Sequence, residues 1–258
     1  MSSVEDVMDG AGAAIVTAAV LVIGDEILSG RTEDQNIGYI ATHCTAVGIQ
    51  VREVRVVPDD RDEIVGAINT LRARYDYLFT TGGIGPTHDD ITADCVAAAF
   101  GVGIDIDPRA EALLRPYFEA RGTEITEARM RMARIPDGAD LIENSMSVAP
   151  GFMLGNVITM AGVPRIMQVM LDAVTPRLRT GAKMHARAID LRFPEGTVAH
   201  LFGEHQRAFP DVAMGSYPTF RDNRPMVQLV LRGLDVARLD EATSVLREKL
   251  VAAGWLDA

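Results

Sequence analysis

The segment Thr80–Asp94 concentrates residue types that handle phosphate groups. It reads Thr-Thr-Gly-Gly-Ile-Gly-Pro-Thr-His-Asp-Asp-Ile-Thr-Ala-Asp and joins a strand-like run to a helix-like run. Three glycines in four residues remove side chains from the turn, so backbone N–H groups and the following helix N-terminus favour an anion. Because Asp89 and Asp90 would repel that anion, the segment predicts a phosphate ligand handled with a divalent cation. A tight turn without a ligand is the alternative.

Two other predicted strands also end in acidic residues. Gly24–Gly30 follows the first strand and contains Asp25 and Glu26, and Asp59 and Asp60 follow the second strand. Ligands bind at the carboxyl ends of strands in an open parallel sheet, and neighbouring strands would bring these segments together. Helix capping explains acids at one strand end more readily than at three, although it stays open for each.

A fourth segment, Asn144–Gly151, is polar and ends in a Pro-Gly turn. It is either an ordinary loop or part of the same site. Ser145 is not predicted to be a hydrolase nucleophile, because no Gly-x-Ser-x-Gly motif surrounds it. Farther along, His200 and His205 do not suggest a zinc site, because their spacing differs from known zinc motifs by one residue.

The hydrophobic pattern predicts an α/β fold. Strands and helices alternate from Val16 to a helix over Thr87–Phe100, which is typical of a mostly parallel sheet with helices on both faces. A βαββα pattern after residue 180 predicts a smaller α+β unit. The expected division is a disordered tail at 1–12, a ligand-binding domain at 13–180 and a small domain at 181–258.

Composition excludes several classes of protein. The net charge of −11 argues against a nucleic-acid partner, which needs clustered basic residues. The longest apolar runs are too short to cross a bilayer. No secretory signal pattern opens the chain, and Cys44 and Cys95 are expected to be buried thiols. We therefore expect a cytoplasmic protein with no membrane partner.

The motifs resemble those of the MoaB/Mog superfamily, also called the molybdopterin-binding domain. Within it, the chain is similar to the N-terminal domain of competence/damage-inducible protein A (CinA-like) and to the pterin-binding-like domain of FAD synthases. The matching segments are Gly24–Gly30, Asn36, Pro58–Asp60, Thr81–Thr92, Asn144, Ala149–Gly151 and Gly162–Pro164.

Three features of the chain depart from the family pattern. Ala161 and Ser147 stand where the family usually has Pro and Gly. The amidase and FAD-synthesising domains that accompany this domain elsewhere have no counterpart, so neither activity is expected.

The resemblance implies a three-layer α/β sandwich and a metal-dependent pyrophosphatase of ADP-ribose or FAD-like dinucleotides. The alternatives are a molybdopterin adenylyltransferase-like role and a nucleotide- or pterin-binding module without catalysis. It also implies a homodimer, with Mg²⁺ or Co²⁺ as the cation. Asp59 and Asp90 are the expected catalytic residues, and Asp59, Asp89 and Asp90 the expected metal ligands. The residues expected to bind phosphate or nucleotide are Gly24, Asp25, Glu26, Ser29, Gly30, Asn36, Thr81, Gly82, Gly83, Gly85, Pro86, Thr87, Thr92, Asn144, Ser145, Pro150, Gly151 and Gly162.

Overall fold

The structure is a computed structural model that describes residues 15–221 and 223–257. Residues 15–181 form one compact unit, and the described residues from 182 onward form a second. The tail at 1–12, expected to be disordered, lies outside the described residues. Among the helices in the described ranges, none combines the length and the apolarity needed to span a bilayer.

A mostly parallel sheet forms the centre of the first unit. Within residues 15–181, six strands pair in the order β2-β1-β3-β8-β7-β6, while β4 and β5 form a separate short ladder. Strands β2, β1, β3 and β8 are parallel, and β7 and β6 are antiparallel to their neighbours. The strands are β1 (Val16–Ile23), β2 (Ile49–Val57), β3 (Tyr77–Thr81), β4 (Ile104–Ile106), β5 (Arg134–Pro136), β6 (Asp140–Ile142), β7 (Gly151–Leu154) and β8 (Val157–Met160).

Helices cover both faces of this sheet. They are α1 (Asp25–Leu28), α2 (Asn36–Ala46), α3 (Arg61–Arg74), α4 (Thr92–Phe100), α5 (Pro108–Glu119), α6 (Glu127–Met130) and α7 (Pro164–Val174). Alternate residues of β1 pack against α3, α4 and α5 on one face and against α2 and α7 on the other. This double burial explains the continuous apolar run of β1 and confirms the predicted three-layer α/β sandwich.

The two cysteines lie in different layers. Cys44 of α2 and Cys95 of α4 are both free and buried, as predicted. Burial raises the pKa of the Cys44 thiol to about 12 and that of Cys95 to about 11. Both thiols are therefore core residues of low reactivity.

One helix boundary differs from the sequence prediction in a way that affects the site. The helix predicted over Thr87–Phe100 begins only at Thr92. Residues 87–91 instead form a loop, which is closed because the Asp90 carboxylate accepts the Thr87 backbone N–H at 2.8 Å. The connection between β3 and α4 is therefore a ten-residue loop that begins with the glycines, rather than a turn leading directly into a helix N-terminus.

The second unit has the predicted βαββα order. Its elements are β9 (His185–Leu191), α8 (Glu195–Ala208), β10 (Ala213–Arg221), β11 (Arg224–Gly233) and α9 (Val236–Ala252). Within the described part of this unit, the strands form an antiparallel sheet in the order β10-β11-β9. The two helices pack against it through one hydrophobic cluster that includes Leu229, Phe202 and Leu246.

Candidate functional site

A cleft of about 530 Å³ lies at one edge of the six-stranded sheet. The carboxyl ends of β1, β3 and β8 reach this edge, and so does the start of β7, because β7 runs antiparallel to β8. The lining residues are Glu26, Thr32, Gly82, Gly83, Ile84, Gly85, Pro86, Asp90, Met132, Asn144, Ser147, Ala149, Ala161, Gly162, Val163, Pro164, Ile166 and Met170. The predicted segments after β1 and β3 therefore meet in one cavity.

The loop after β3 requires its glycines. Gly82 and Gly83 have φ angles of +100° and +66°, which side-chain-bearing residues rarely adopt. The Thr92 hydroxyl donates to the Gly82 carbonyl at 2.9 Å. A Cβ on Gly83 would lie 2.1 Å from that hydroxyl oxygen. Thr92, which is fully buried, therefore fixes the loop from behind rather than facing a phosphate.

The backbone amides that are free in this loop differ partly from those expected. The Gly82 amide donates to the Met160 carbonyl at 3.2 Å, and the Thr92 amide donates to Gly83 at 2.9 Å. The Gly82 amide and the first amide of α4 are therefore not available to an anion, which differs from the expectation. Within the described residues, the amides of Gly83, Ile84 and Gly85 have no hydrogen-bond acceptor. The sequence analysis did not single out Ile84, because the type of its side chain does not indicate that its backbone amide is free.

Asp90 is held rigidly at the far side of the loop. Its Oδ2 atom accepts hydrogen bonds from the amide and hydroxyl of Thr87, at 2.8 and 2.5 Å. Arg131 donates to the Asp90 backbone carbonyl at 3.1 Å. A Cβ on Gly85 would lie 2.7 Å from the Asp90 carboxylate. Thr87 therefore positions Asp90, whose remaining oxygen is available to a ligand.

The pKa of Asp59 is shifted by its surroundings. Its Oδ2 atom accepts the Asp25 backbone N–H at 3.0 Å, which ties the end of β2 to the end of β1. Removal from solvent raises the pKa of Asp59, and the negative charges of Asp25, Glu26 and Asp89 raise it further against that hydrogen bond. The acids of three strand ends therefore interact electrostatically.

The adjacent Asp60 has a different role. It caps α3 by accepting hydrogen bonds from the Asp62 and Glu63 amides at 2.9 and 3.1 Å. The capping interpretation therefore holds for Asp60. Asp89, on the loop after β3, is exposed to solvent.

The described residues contain no preformed group of three or more His, Cys, Asp and Glu side chains placed to hold a metal ion together. Asp59, Asp89 and Asp90 thus do not converge on one point. His205 is buried in the second unit, with Nε2 2.9 Å from the Ala242 carbonyl, whereas His200 is exposed.

Several expected ligand residues support the cleft without lining it. The Asn36 amide group donates to the Gly162 carbonyl at 2.8 Å and is buried. Gly24 is buried and donates to Val57, and the Thr81 hydroxyl is buried without a partner among the described residues. A Cβ on Gly151 would lie 2.6 Å from the Thr159 carbonyl, so this glycine serves backbone packing.

Three other expected residues also lie off the cleft. The Ser29 hydroxyl donates to the Glu26 carbonyl at 3.3 Å, and Gly30 is exposed. Pro150 is buried behind the glycine loop, where it lines a small cavity with Gly83 and Arg131.

In the loop before β7, the serine that lines the cleft is not the one expected from the sequence. Ser145 is exposed and does not line the cleft, whereas Ser147 does. Asn144 fixes this loop, because its Oδ1 accepts the amides of Met146 and Ser147 at 3.0 and 3.2 Å. Its Nδ2 donates to the Ala149 carbonyl at 2.8 Å and to the Ser147 hydroxyl at 2.6 Å. Asn144 therefore organises the loop and has no capacity left for a ligand.

An apolar wall of the cleft was not predicted. It comprises Met132, Ala149, Ala161, Val163, Pro164, Ile166 and Met170. Met170 is almost fully buried in the hydrophobic core and also lines the cleft. Helical spacing cannot distinguish a core residue from a cleft residue here, because the same side chains belong to the hydrophobic core and line the cleft.

The family of the chain follows from its match to a family model. Residues 19–180, more than half of the chain, match the family described as "probable molybdopterin binding domain". The chain belongs to the MoaB/Mog superfamily. Its MoaB/Mog domain coincides with the unit that carries the cleft. Residues 183–257 match a second family, described as "FAD synthase, middle domain".

CinA-like proteins are among the relatives of this MoaB/Mog protein. One from Desulfosudis oleivorans is 38% identical over 209 residues, covering 77% of this chain and 51% of that protein. One from Geobacter sp. strain M21 is 33% identical over 251 residues, covering 91% and 58%. The chain thus spans about half the length of these relatives, so the activities of the whole relatives are not assigned to it.

A solved structure supports the same relationship. The crystal structure of the protein CinA, of unknown function, from Thermoplasma acidophilum is 37% identical with a TM-score of 0.58. It covers 62% of this chain and 96% of the Thermoplasma chain. The MoaB/Mog superfamily and the similarity to CinA-like proteins are therefore confirmed. The homodimer and the cation stay predictions.

Proposed function

We propose that the cleft binds an ADP-containing dinucleotide and hydrolyses its pyrophosphate with a divalent cation. The observation that carries this proposal is the pairing of free amides with carboxylates at one sheet edge. The amides of Gly83 to Gly85 suit phosphate oxygens, whereas Asp90 and Glu26 line the same cleft. None of the described lining residues is basic, so phosphate binding beside these acids calls for a cation.

The donor set fits Mg²⁺ or Co²⁺ despite the lack of a preformed three-residue cluster. Magnesium commonly takes one or two protein carboxylates and completes its shell with water and substrate phosphates. Asp59 and Asp90 each use Oδ2 in hydrogen bonds and keep Oδ1 for such a ligand. A bound cation would also offset the repulsion that raises the pKa of Asp59.

The reaction breaks one P–O–P bond. When bound, the cation would polarise the pyrophosphate and lower the pKa of the attacking water. The amides of Gly83, Ile84 and Gly85 would hold the phosphate oxygens on which negative charge accumulates. Water adds its oxygen to one phosphorus, its proton passes to solvent, and ADP-ribose yields AMP and ribose 5-phosphate. FAD would yield AMP and FMN by the same step.

Release of AMP tests the proposal. Full-length protein is incubated with ADP-ribose or FAD in Mg²⁺ or Co²⁺. Asp59→Asn and Asp90→Asn should each lose most metal-dependent turnover while staying folded. Asp60→Asn is the matched control, because Asn retains the helix cap and activity should persist. Wild-type turnover that survives excess chelator would contradict the role of the cation.

The family match supports a second candidate. Because the family model is described as a molybdopterin-binding domain, the alternative ligand is a phosphorylated pterin that becomes adenylylated. That reaction joins the pterin phosphate to AMP from ATP and releases pyrophosphate. Pyrophosphate release that requires both ATP and the pterin would favour it. Tight binding of either ligand without turnover would favour a binding module.

A further inference from the structure

The cleft changes in chemical character along the sheet edge. Acids follow β2 and β1, the glycine loop follows β3, and apolar residues with Ser147 border the cleft beside β8 and β7. From β1 to β7 the sheet spans three strand spacings, roughly 14 Å at about 4.8 Å per strand. One end of the cleft therefore suits a phosphate with its cation, and the other suits an uncharged group.

Ser147 is the polar side chain with an uncommitted donor at the apolar end. The orientation of the Asn144 amide is unambiguous, because its oxygen accepts two backbone N–H groups and its nitrogen donates to the Ala149 carbonyl. The Asn144 nitrogen also donates to the Ser147 hydroxyl oxygen at 2.6 Å. Ser147 must accept in that bond, so its own O–H proton remains available.

The backbone next to Ser147 adopts a costly conformation. Val148 has a φ of +69°, which is rare for a β-branched residue. Its amide donates to the Asn144 carbonyl at 3.1 Å, which closes the turn. Strained residues persist only where surrounding contacts impose them, and here the Asn144 hydrogen bonds do so. The Asn144 hydrogen bonds therefore maintain the turn, in which Ser147 borders the cleft while Ser145 faces solvent.

We infer that Ser147 donates a hydrogen bond to an acceptor on the nitrogen-containing aromatic ring of the ligand and so selects for that ring. The inference rests on the proposed function for the presence of a phosphate-bearing ligand in the cleft. The apolar side chains of Ala149, Val163 and Ile166 line the same end, where a ring is favoured over a phosphate. Ser147 thereby becomes a specificity residue distant from the acids.

The test compares ligands with and without a ring. Calorimetric titration of the full chain with Mg²⁺ and ADP should show about tenfold weaker binding for Ser147→Ala, whereas binding of pyrophosphate should be unchanged. Ser145→Ala, on the same loop, should change neither. Ser147→Thr, which keeps the hydroxyl, should retain most ADP affinity. Titration with 6-hydroxymethyldihydropterin diphosphate distinguishes a pterin from an adenine as the preferred ring.

Each outcome decides the inference. Wild-type ADP affinity in Ser147→Ala, or an equal loss for ADP and pyrophosphate, would overturn it even if dinucleotides are hydrolysed. Selective loss of ADP binding without any AMP release from dinucleotides would support Ser147 and reject the hydrolase. A wild-type chain that binds neither ring-bearing diphosphate would reject both.

Discussion

Two loops face each other across the cleft and reach similar backbone conformations by different means. The loop after β3, Gly82–Asp90, places glycines at positive φ, and the amides of Gly83, Ile84 and Gly85 remain free. The loop before β7, Asn144–Pro150, places Val148 at positive φ and uses its amides in hydrogen bonds to Asn144. The first therefore presents backbone to a ligand, whereas the second presents one side chain.

This difference shows how each loop is stabilised. Glycine makes a left-handed turn without a side-chain penalty, so the first loop needs mainly the Thr92 contacts behind it. A valine in the same region is strained, so the second loop depends on a side-chain network from Asn144. Substitutions that add a side chain should therefore destabilise the first loop, and substitutions that remove hydrogen bonds should destabilise the second.

The largest effect is expected from Gly83→Ala. The added methyl would meet the Thr92 hydroxyl at 2.1 Å in a left-handed conformation, so the free energy of unfolding should fall by about 3 kcal/mol. Binding of ADP should be lost with it. Gly30→Ala is the control, because Gly30 has a φ of +71° and nothing within 4 Å. It should cost about 1 kcal/mol and leave ADP binding intact. Equal costs in urea unfolding would show that Thr92 does not restrict the loop.

Removal of the network in the second loop should have the next largest effect. Asn144→Ala deletes four hydrogen bonds and should lower the free energy of unfolding by about 2–4 kcal/mol. Ser145→Ala lies in the same loop and should change stability by less than about 0.5 kcal/mol. Urea unfolding of both variants measures the difference. A similar small loss in each would mean that the loop does not need Asn144.

Relief of the strain at Val148 should raise stability. Asn tolerates positive φ better than a β-branched residue, so Val148→Asn should gain about 1 kcal/mol. Val148→Thr keeps the branch at Cβ and should gain nothing. Thermal unfolding compares the two variants with the wild type. A loss of stability in Val148→Asn would argue that valine packing outweighs the backbone strain.

The smallest effect concerns the acidic end of the cleft. Because burial and nearby carboxylates raise the pKa of Asp59, the unfolded chain loses this proton at lower pH than the folded chain. Wild-type stability should therefore fall as pH rises from the ordinary aspartate value through the raised one. Asp59→Asn removes this decline and should raise Tm at pH 7, whereas Asp60→Ala should lose about 1 kcal/mol as a missing cap. The difference in Tm between Asp59→Asn and the wild type should be larger at pH 7 than at pH 4. A smaller difference at pH 7 would contradict the raised pKa of Asp59.

Sequence patterns predicted the sheet well because burial controls them. The run Val16–Ile23 is apolar throughout because both faces of β1 are covered, and the structure reproduces its bounds. The start of α4 was predicted five residues too early, because Asp90 closes a loop through its side chain rather than capping a helix. Such a closure is a hydrogen bond between two residues three positions apart in a loop, and it leaves no periodic signal.

The candidate site was predictable to a similar degree. Glycine composition pointed to the loop after β3, whereas nothing in composition marks the free amide of Ile84. Ser145 and Ser147 are equivalent in the hydrophobic pattern, and only the folded loop, with Val148 at positive φ, shows that Ser147 borders the cleft. The roles proposed for the acids remain predictions until turnover is measured.

Because one buried thiol lies in each helical layer, alkylation of the two cysteines can measure local opening on each face of the sheet. Cys44 lies on the buried side of α2 against one face of the sheet, and Cys95 lies on the buried side of α4 against the other. A buried thiol reacts with an alkylating reagent only when its surroundings open, so each labelling rate measures the opening of one layer. Equal rates would describe a domain that opens as a unit. Unequal rates would show which of the two layers opens first.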